Sequence, residues 1–255
     1  MRISLLLPVS IALVVIIVEG HAQPLNYGPS ASPLSWKALR PEQPIKEAEF
    51  SLSRGRLGDV PEHPMSLQLA DLKDGRPYGD KEERRVILAR FEPVLVRAPE
   101  DKSPASITLT VACDAATKEL VCAFTDPSPR WIVSTLDPGV VDSSAIDDGW
   151  EMSPARYDSL KSSLTDVLAA AWRTFGVDPS KTGQVIIRPR FVANKYPAEQ
   201  GTLVPRYRPC NVWIVEMLGT EIIKHRVFGA DHNLTTLVAQ FRDGDLTQLP
   251  SRVLP

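Results

Sequence analysis

The chain has little of what most often carries chemistry. Its 255 residues include four histidines and three cysteines, and no metal-ligand, nucleotide-binding or catalytic motif stands out. A formal net charge of -2 gives no overall electrostatic pull toward nucleic acid or an anionic membrane surface. After Val18 no apolar run approaches the roughly 20 residues that a membrane-spanning helix needs. These shortages exclude a polybasic nucleic-acid binder and a protein with several membrane-spanning helices. They imply no cofactor.

What is present begins at the N-terminus. Arg2 precedes an almost wholly apolar run from Ile3 to Val18, and Gly20 and Ala22 are small residues where a signal peptidase cuts. This is the pattern of a secretory signal peptide over 1–22, cleaved before Gln23. Pro8 and the shortness of the run argue against an uncleaved span. The mature chain is therefore expected to be secreted or periplasmic and off the membrane.

Export bears on the cysteines. An oxidising compartment favours one disulfide among Cys113, Cys122 and Cys210, with one thiol over. Cys113 and Cys122 flank a turn. They face one another if Thr117-Lys118 is a two-residue turn, and slip to opposite faces if the loop is three residues long. Thr-Lys is poor at the positive φ that a two-residue turn requires. A bond from either to Cys210 therefore stays open.

Four stretches follow the signal. Residues 23–64 carry seven prolines and no apolar period, and are expected to be a flexible lead-in. Residues 65–136 are β-rich: 85–96 and 106–113 have strand character, and 119–124 returns as the second arm of a hairpin. Pro93 within the first implies an edge or a break. An acidic loop over 137–152 marks a subdomain boundary. Residues 150–250 are expected to be a helix plus antiparallel sheet module. Ser153 as N-cap, Pro154 in the first turn, and Tyr157, Leu160, Leu164, Val167, Leu168, Ala171, Trp172 and Phe175 at steps of three and four predict one amphipathic helix of about 22 residues. Gly176 stops it. Strands are expected over 184–193, 211–218, 220–229 and 235–242, with Pro189 hinting at an edge.

The fold expected is α+β: a long amphipathic helix packed on an antiparallel sheet, preceded by a hairpin-rich region. That outline resembles cystatin-like and NTF2-like architectures. The phrase DAATKEL (114–120) resembles the strand–turn motif of PepSY-type modules, with Lys118 where those carry glycine. No function follows from it.

The candidate binding surface lies in 188–208, where Arg188, Arg190, Lys195, Arg206 and Arg208 interleave with Phe191, Tyr196 and Tyr207. Basic and aromatic groups together suit a protein or glycan partner; no nucleic acid is expected, and the oligomeric state stays open. Other signals are thin. Lys181-Thr182-Gly183 matches the triplet of penicillin-recognising enzymes, but their Ser-Asp-Asn element is absent. His225, Asp231 and His232 are too few for a metal site. The leading expectation is a non-enzymatic binding module that contacts its partner through strand edges or the 188–208 loop. One alternative is a peptidase inhibitor of cystatin-like outline, although the Gln-x-Val-x-Gly loop is absent. Another is a hydrolase using His225, Asp231 or Glu216.

Overall fold

The computed structural model describes residues 34–50, 52, 54–74, 82–97, 104–126, 150–176, 183–194, 209–220 and 235–249. Ten strands form one antiparallel sheet: β1 (Leu34–Ala38), β2 (Ser66–Asp74), β3 (Arg84–Val96), β4 (Ala105–Asp114), β5 (Leu120–Thr125), β6 (Trp150–Pro154), β7 (Val185–Asn194), β8 (Cys210–Thr220), β9 (Thr235–Arg242) and β10 (Gln248–Leu249). The spatial order is β1-β2-β3-β4-β5-β7-β8-β9-β10, with β6 also paired to β7. Two α-helices accompany it, α1 (Arg54–Leu57) and α2 (Leu164–Phe175). The sheet runs unbroken from the β-rich half into the C-terminal half through Ala123↔Ile187 and Phe124↔Ile186.

The expectation of a long helix packed on a sheet is overturned. The dominant element is the ten-stranded sheet, and α2 has 12 residues. Ser153 and Pro154, expected to cap and open the helix, lie in β6 opposite Phe191 and Arg190. Tyr157 and Leu160 are buried as the apolar stripe requires, but Tyr157 opens a 3-10 turn over Tyr157–Ser159 and Leu160 follows it in extended conformation. The cap is Ser163, whose Oγ accepts the N–H of Asp166 at 3.2 Å. What holds the chain out of the helix just before that cap is Asp243. Its carboxylate accepts the N–H groups of Lys161 (2.8 Å) and Ser162 (2.9 Å) and the Nε1–H of Trp213 (2.9 Å). Helical periodicity is thus satisfied by two buried residues that are not helical. At the other end, Gly176 takes φ +63°, and its N–H reaches back to the last turn.

Both faces of the central strands are apolar. One face buries Ile87, Ala89, Phe91, Leu109, Val111, Ile187, Trp213 and Val215 beneath Leu164, Val167, Leu168 and Trp172 of α2. The other buries Leu72, Val86, Leu88, Ala112, Phe124 and Ile186 with Leu34 of β1. Each buried Val, Leu, Ile or Phe among them contributes about 1.5–3 kcal/mol relative to exposure.

The second core exists because the sheet curls. β1 and β5 are four strand steps apart, which is about 19 Å in a flat sheet. Yet the rings of Trp36 and Phe124 lie 5.1 Å apart, centroid to centroid. Strands β1 and β2 therefore fold back over β5 and β7. The stretch expected as a flexible lead-in supplies part of both cores: Leu34 is buried inside the curl, while Phe50, Leu52 and Leu57 are buried in the core beneath α2, where Phe50 meets Phe91 at 6.0 Å. Gly58, at φ +84°, lets α1 approach α2. A Cβ there would fall 1.9 Å from Thr165 Oγ1.

The prolines sit where pairing fails. Pro93 lies in the register shift between Phe91 and Val94 of the β3–β4 ladder, beyond Arg90, where the β2 ladder ends. Pro189 lies in the central strand β7, at the gap where β5 stops pairing at Ile187 and β6 starts at Arg190. In the β4–β5 hairpin the Asp114 carboxylate accepts from Ala116 and Thr117, and Lys118 adopts φ +63°, the conformation that glycine takes most readily. Of the strand expected over 220–229, Thr220 ends β8 and residues 221–229 lie outside the described residues.

Candidate functional site

Two features of the curled sheet are candidates: a buried charge cluster and an open groove. The cluster comes first because it holds the curl. Arg188 of β7 is fully buried and donates Nε–H and Nη2–H to both oxygens of Asp74, at 2.6 and 2.8 Å. Its Nη1 donates to Glu216 Oε2 of β8 at 2.9 Å. Asp74 belongs to β2, four strand steps from β7, so the bidentate pair joins the two ends of the curl. Desolvation alone would favour loss of the proton from Arg188. The carboxylates of Glu216 and Asp74 more than offset it, and the guanidinium is held protonated beyond its ordinary range. Glu216 Oε1 is buried and finds no partner among the described residues.

The arrangement can lock strands together, and apart from Glu216 Oε1 its charged groups bond to one another. Arg188 and Arg190, expected on a solvent-facing binding surface, are both buried, and Arg190 Nη1 donates to the Pro189 carbonyl at 3.0 Å. Phe191, the aromatic between them and the loop, is exposed. Lys195, Tyr196, Arg206, Tyr207 and Arg208 lie outside the described residues, as do His225, Asp231 and His232. Glu216, the remaining acid of the hydrolase alternative, is committed to Arg188. The cystatin-like outline from which the peptidase-inhibitor alternative was drawn is not the architecture found. Periodicity could have found the cluster: Asp74 follows Leu72, Arg188 follows Ile186 and Glu216 follows Ile214, each two residues on and so on the apolar face of its strand.

Cys113, Cys122 and Cys210 form no disulfide in this structure. Ala112 faces Cys122, but a bulge sets Cys113 opposite Leu120. Cys113 therefore enters the core beneath α2, and Cys122 enters the core inside the curl. The two thiols point to opposite faces of the sheet, the arrangement that goes with the longer of the two turns. Cys210 packs against a third small cluster with Val192 and Val212. Burial pushes the Cys113 thiol up to about 12, which removes it as a nucleophile near neutral pH.

The groove is the open feature. It has a volume of about 360 Å³ and is lined by Leu39, Pro41, Pro44, Ile45, Glu47, Pro64, Met65 and residues 66–69 of β2. Met65 is 68 % exposed, the most exposed large apolar side chain among the described residues. The groove arises from the way β1 ends. β1 pairs with β2 from Leu34↔Asp74 to Ala38↔Ala70, and Leu39 adds one more bond, N–H to the Leu69 carbonyl at 2.8 Å. Continued in register, the next residue to bond would be Pro41, opposite Leu67. Proline has no N–H to give. The chain turns away there, and its 41–45 segment becomes the far wall of the groove. At one end the Glu47 carboxylate lies 2.9 Å from Nδ1 of His63. The prolines around SLQL (66–69) were the signal that sequence reading passed over as a tether.

Among the described residues, no helix is long and apolar enough to cross a membrane, and no cluster of three His, Cys, Asp or Glu side chains is placed to hold a metal ion. Comparison with protein families, curated proteins and solved structures finds no match to this chain.

The buried cluster makes an asymmetric prediction. Arg188→Ala leaves two carboxylates inside the curl and costs about 3–5 kcal/mol. Replacing all three together, Asp74→Leu, Arg188→Met and Glu216→Leu, costs far less, because no buried charge is left unpaired. Urea unfolding of both variants checks this. Equal costs would remove the charge-pair explanation.

Proposed function

We propose that this chain is an exported, non-enzymatic binding module that contacts a protein partner through the groove between residues 39–45 and β2. The observation that carries it is the apolar groove left where Pro41 ends β1, with Met65 exposed at its rim. Its volume falls at the lower end of the range of ligand-binding clefts. An exposed methionine beside leucines and prolines is adaptable, and it suits side chains of a partner rather than a polar metabolite. The leader over 1–22 supports export.

Two measurements test this reading. N-terminal sequencing of the mature protein from a secreting host is expected to begin at Gln23; a start at Met1 would contradict export. A fluorescein-labelled synthetic peptide of alternating valine and threonine, ended by lysine, is expected to bind the intact protein by fluorescence anisotropy. Met65→Asp is expected to weaken that binding about tenfold or more, since it places a charge in the apolar contact. Because Met65 is exposed, stability should change by no more than about 0.5 kcal/mol. Binding unchanged by Met65→Asp would overturn the groove as the contact surface.

A further inference from the structure

We infer that the occupant of this groove is an extended strand from a partner protein, added antiparallel to the open edge of β2 at Ser66–Gln68. The inference rests on the groove being the contact surface, and it names what lies in it.

The backbone supplies the reason. In an antiparallel ladder, the N–H and C=O of one residue point to the same side, and successive residues alternate. The Leu69 carbonyl accepts from Leu39, so Leu69 faces the β1 side. Leu67, two residues earlier, faces the same way. Ser66 and Gln68 face β3, opposite Arg90 and Leu88. Met65 breaks this alternation: its N–H also reaches the Arg90 carbonyl, at 2.7 Å, so Met65 and Ser66 both oppose Arg90 in a bulge, and the regular register begins at Ser66. Along the groove, therefore, the N–H and C=O of Leu67 and the N–H of Leu69 have no partner among the described residues. Pro41, the residue in register to meet Leu67, cannot donate.

An unpaired donor–acceptor pair on a strand edge, beside an apolar trough, is the geometry that strand addition uses. The occupant continues the line of β1 where Pro41 abandons it. Main-chain bonds to Leu67 hold it, and alternate side chains enter between Ile45, Pro44 and Met65. Among the lining residues the ionised side chain is Glu47, so the occupant carries a cation at that end. A compact apolar ligand would leave the edge groups of β2 unpaired. An amphipathic helix would do the same, because its backbone bonds are used internally.

Backbone N-methylation of the peptide separates strand addition from mere apolar contact. A methyl on the residue facing Leu67 removes a donor without altering the groove or the fold. It is expected to weaken binding about tenfold or more, whereas moving the methyl one residue along leaves binding within about twofold. Exchanging the terminal lysine for glutamate is expected to weaken binding as well. Equal effects of the two N-methylations, or tighter binding of the glutamate peptide, would overturn the inference. If Met65→Asp abolishes binding while the N-methyl positions do not differ, strand addition fails and the groove reading stands. If Met65→Asp has no effect, both fail.

Discussion

The bidentate pair between Arg188 and Asp74 is the constraint on which the rest of this structure depends. It joins strands four steps apart. A guanidinium removed from water must be paired on several sides, and here two carboxylates supply that pairing. Such a cluster adds little net stability compared with apolar packing. What it adds is register. A slip of β2 by one residue would turn Asp74 outward and leave Arg188 buried with Glu216 alone.

From that fixed end the exposed surface follows. Asp74 sets the far end of β2, and β1 then covers β2 from Asp74 back to Ala70. Trp36 and Leu34 fill the curl against Phe124 and its neighbours, so β1 cannot shift along β2 without emptying the second core. Its ladder then runs into Pro41 at a set position, and the edge at Leu67 is uncovered as a result. Natural edges are usually shortened, charged or covered. This one is open over three residues and flanked by leucine, isoleucine, proline and methionine. The buried charges and the open groove are thus two ends of one arrangement, in which the interior sets where the surface opens.

Much of the sheet was legible in the sequence because its strands alternate. The runs over 85–96, 106–113, 119–124, 184–193, 211–218 and 235–242 lie in or closely overlap β3, β4, β5, β7, β8 and β9. The helix was overdrawn because Tyr157 and Leu160 fall at helical spacing by coincidence of burial. The carboxylate of Asp243, roughly eighty residues later, holds Lys161 and Ser162 in another conformation. Local periodicity carries no information about a hydrogen bond of that range. The curl was not legible for a similar reason. Leu72, Val86 and Ile186 announce an inward face, but not that β1 is what covers it. The cysteine register was legible as a condition: a longer turn would put Cys113 and Cys122 on opposite faces, and Lys118 at positive φ belongs to such a turn. Arg188 and Arg190 were misplaced because a basic residue reads as exposed until its strand parity is followed.

The open edge of β2 is the central claim, and amide hydrogen exchange tests it most directly. The Leu67 N–H points into the groove, whereas the Gln68 N–H is bonded within the sheet to β3. In the intact protein, Leu67 should exchange at a rate near that of an unprotected amide, and Gln68 should be protected by orders of magnitude. On saturation with the valine–threonine peptide, Leu67 should become protected as well. Protection of Leu67 equal to that of Gln68 in the free protein would contradict the account, because it would mean that the edge is already paired.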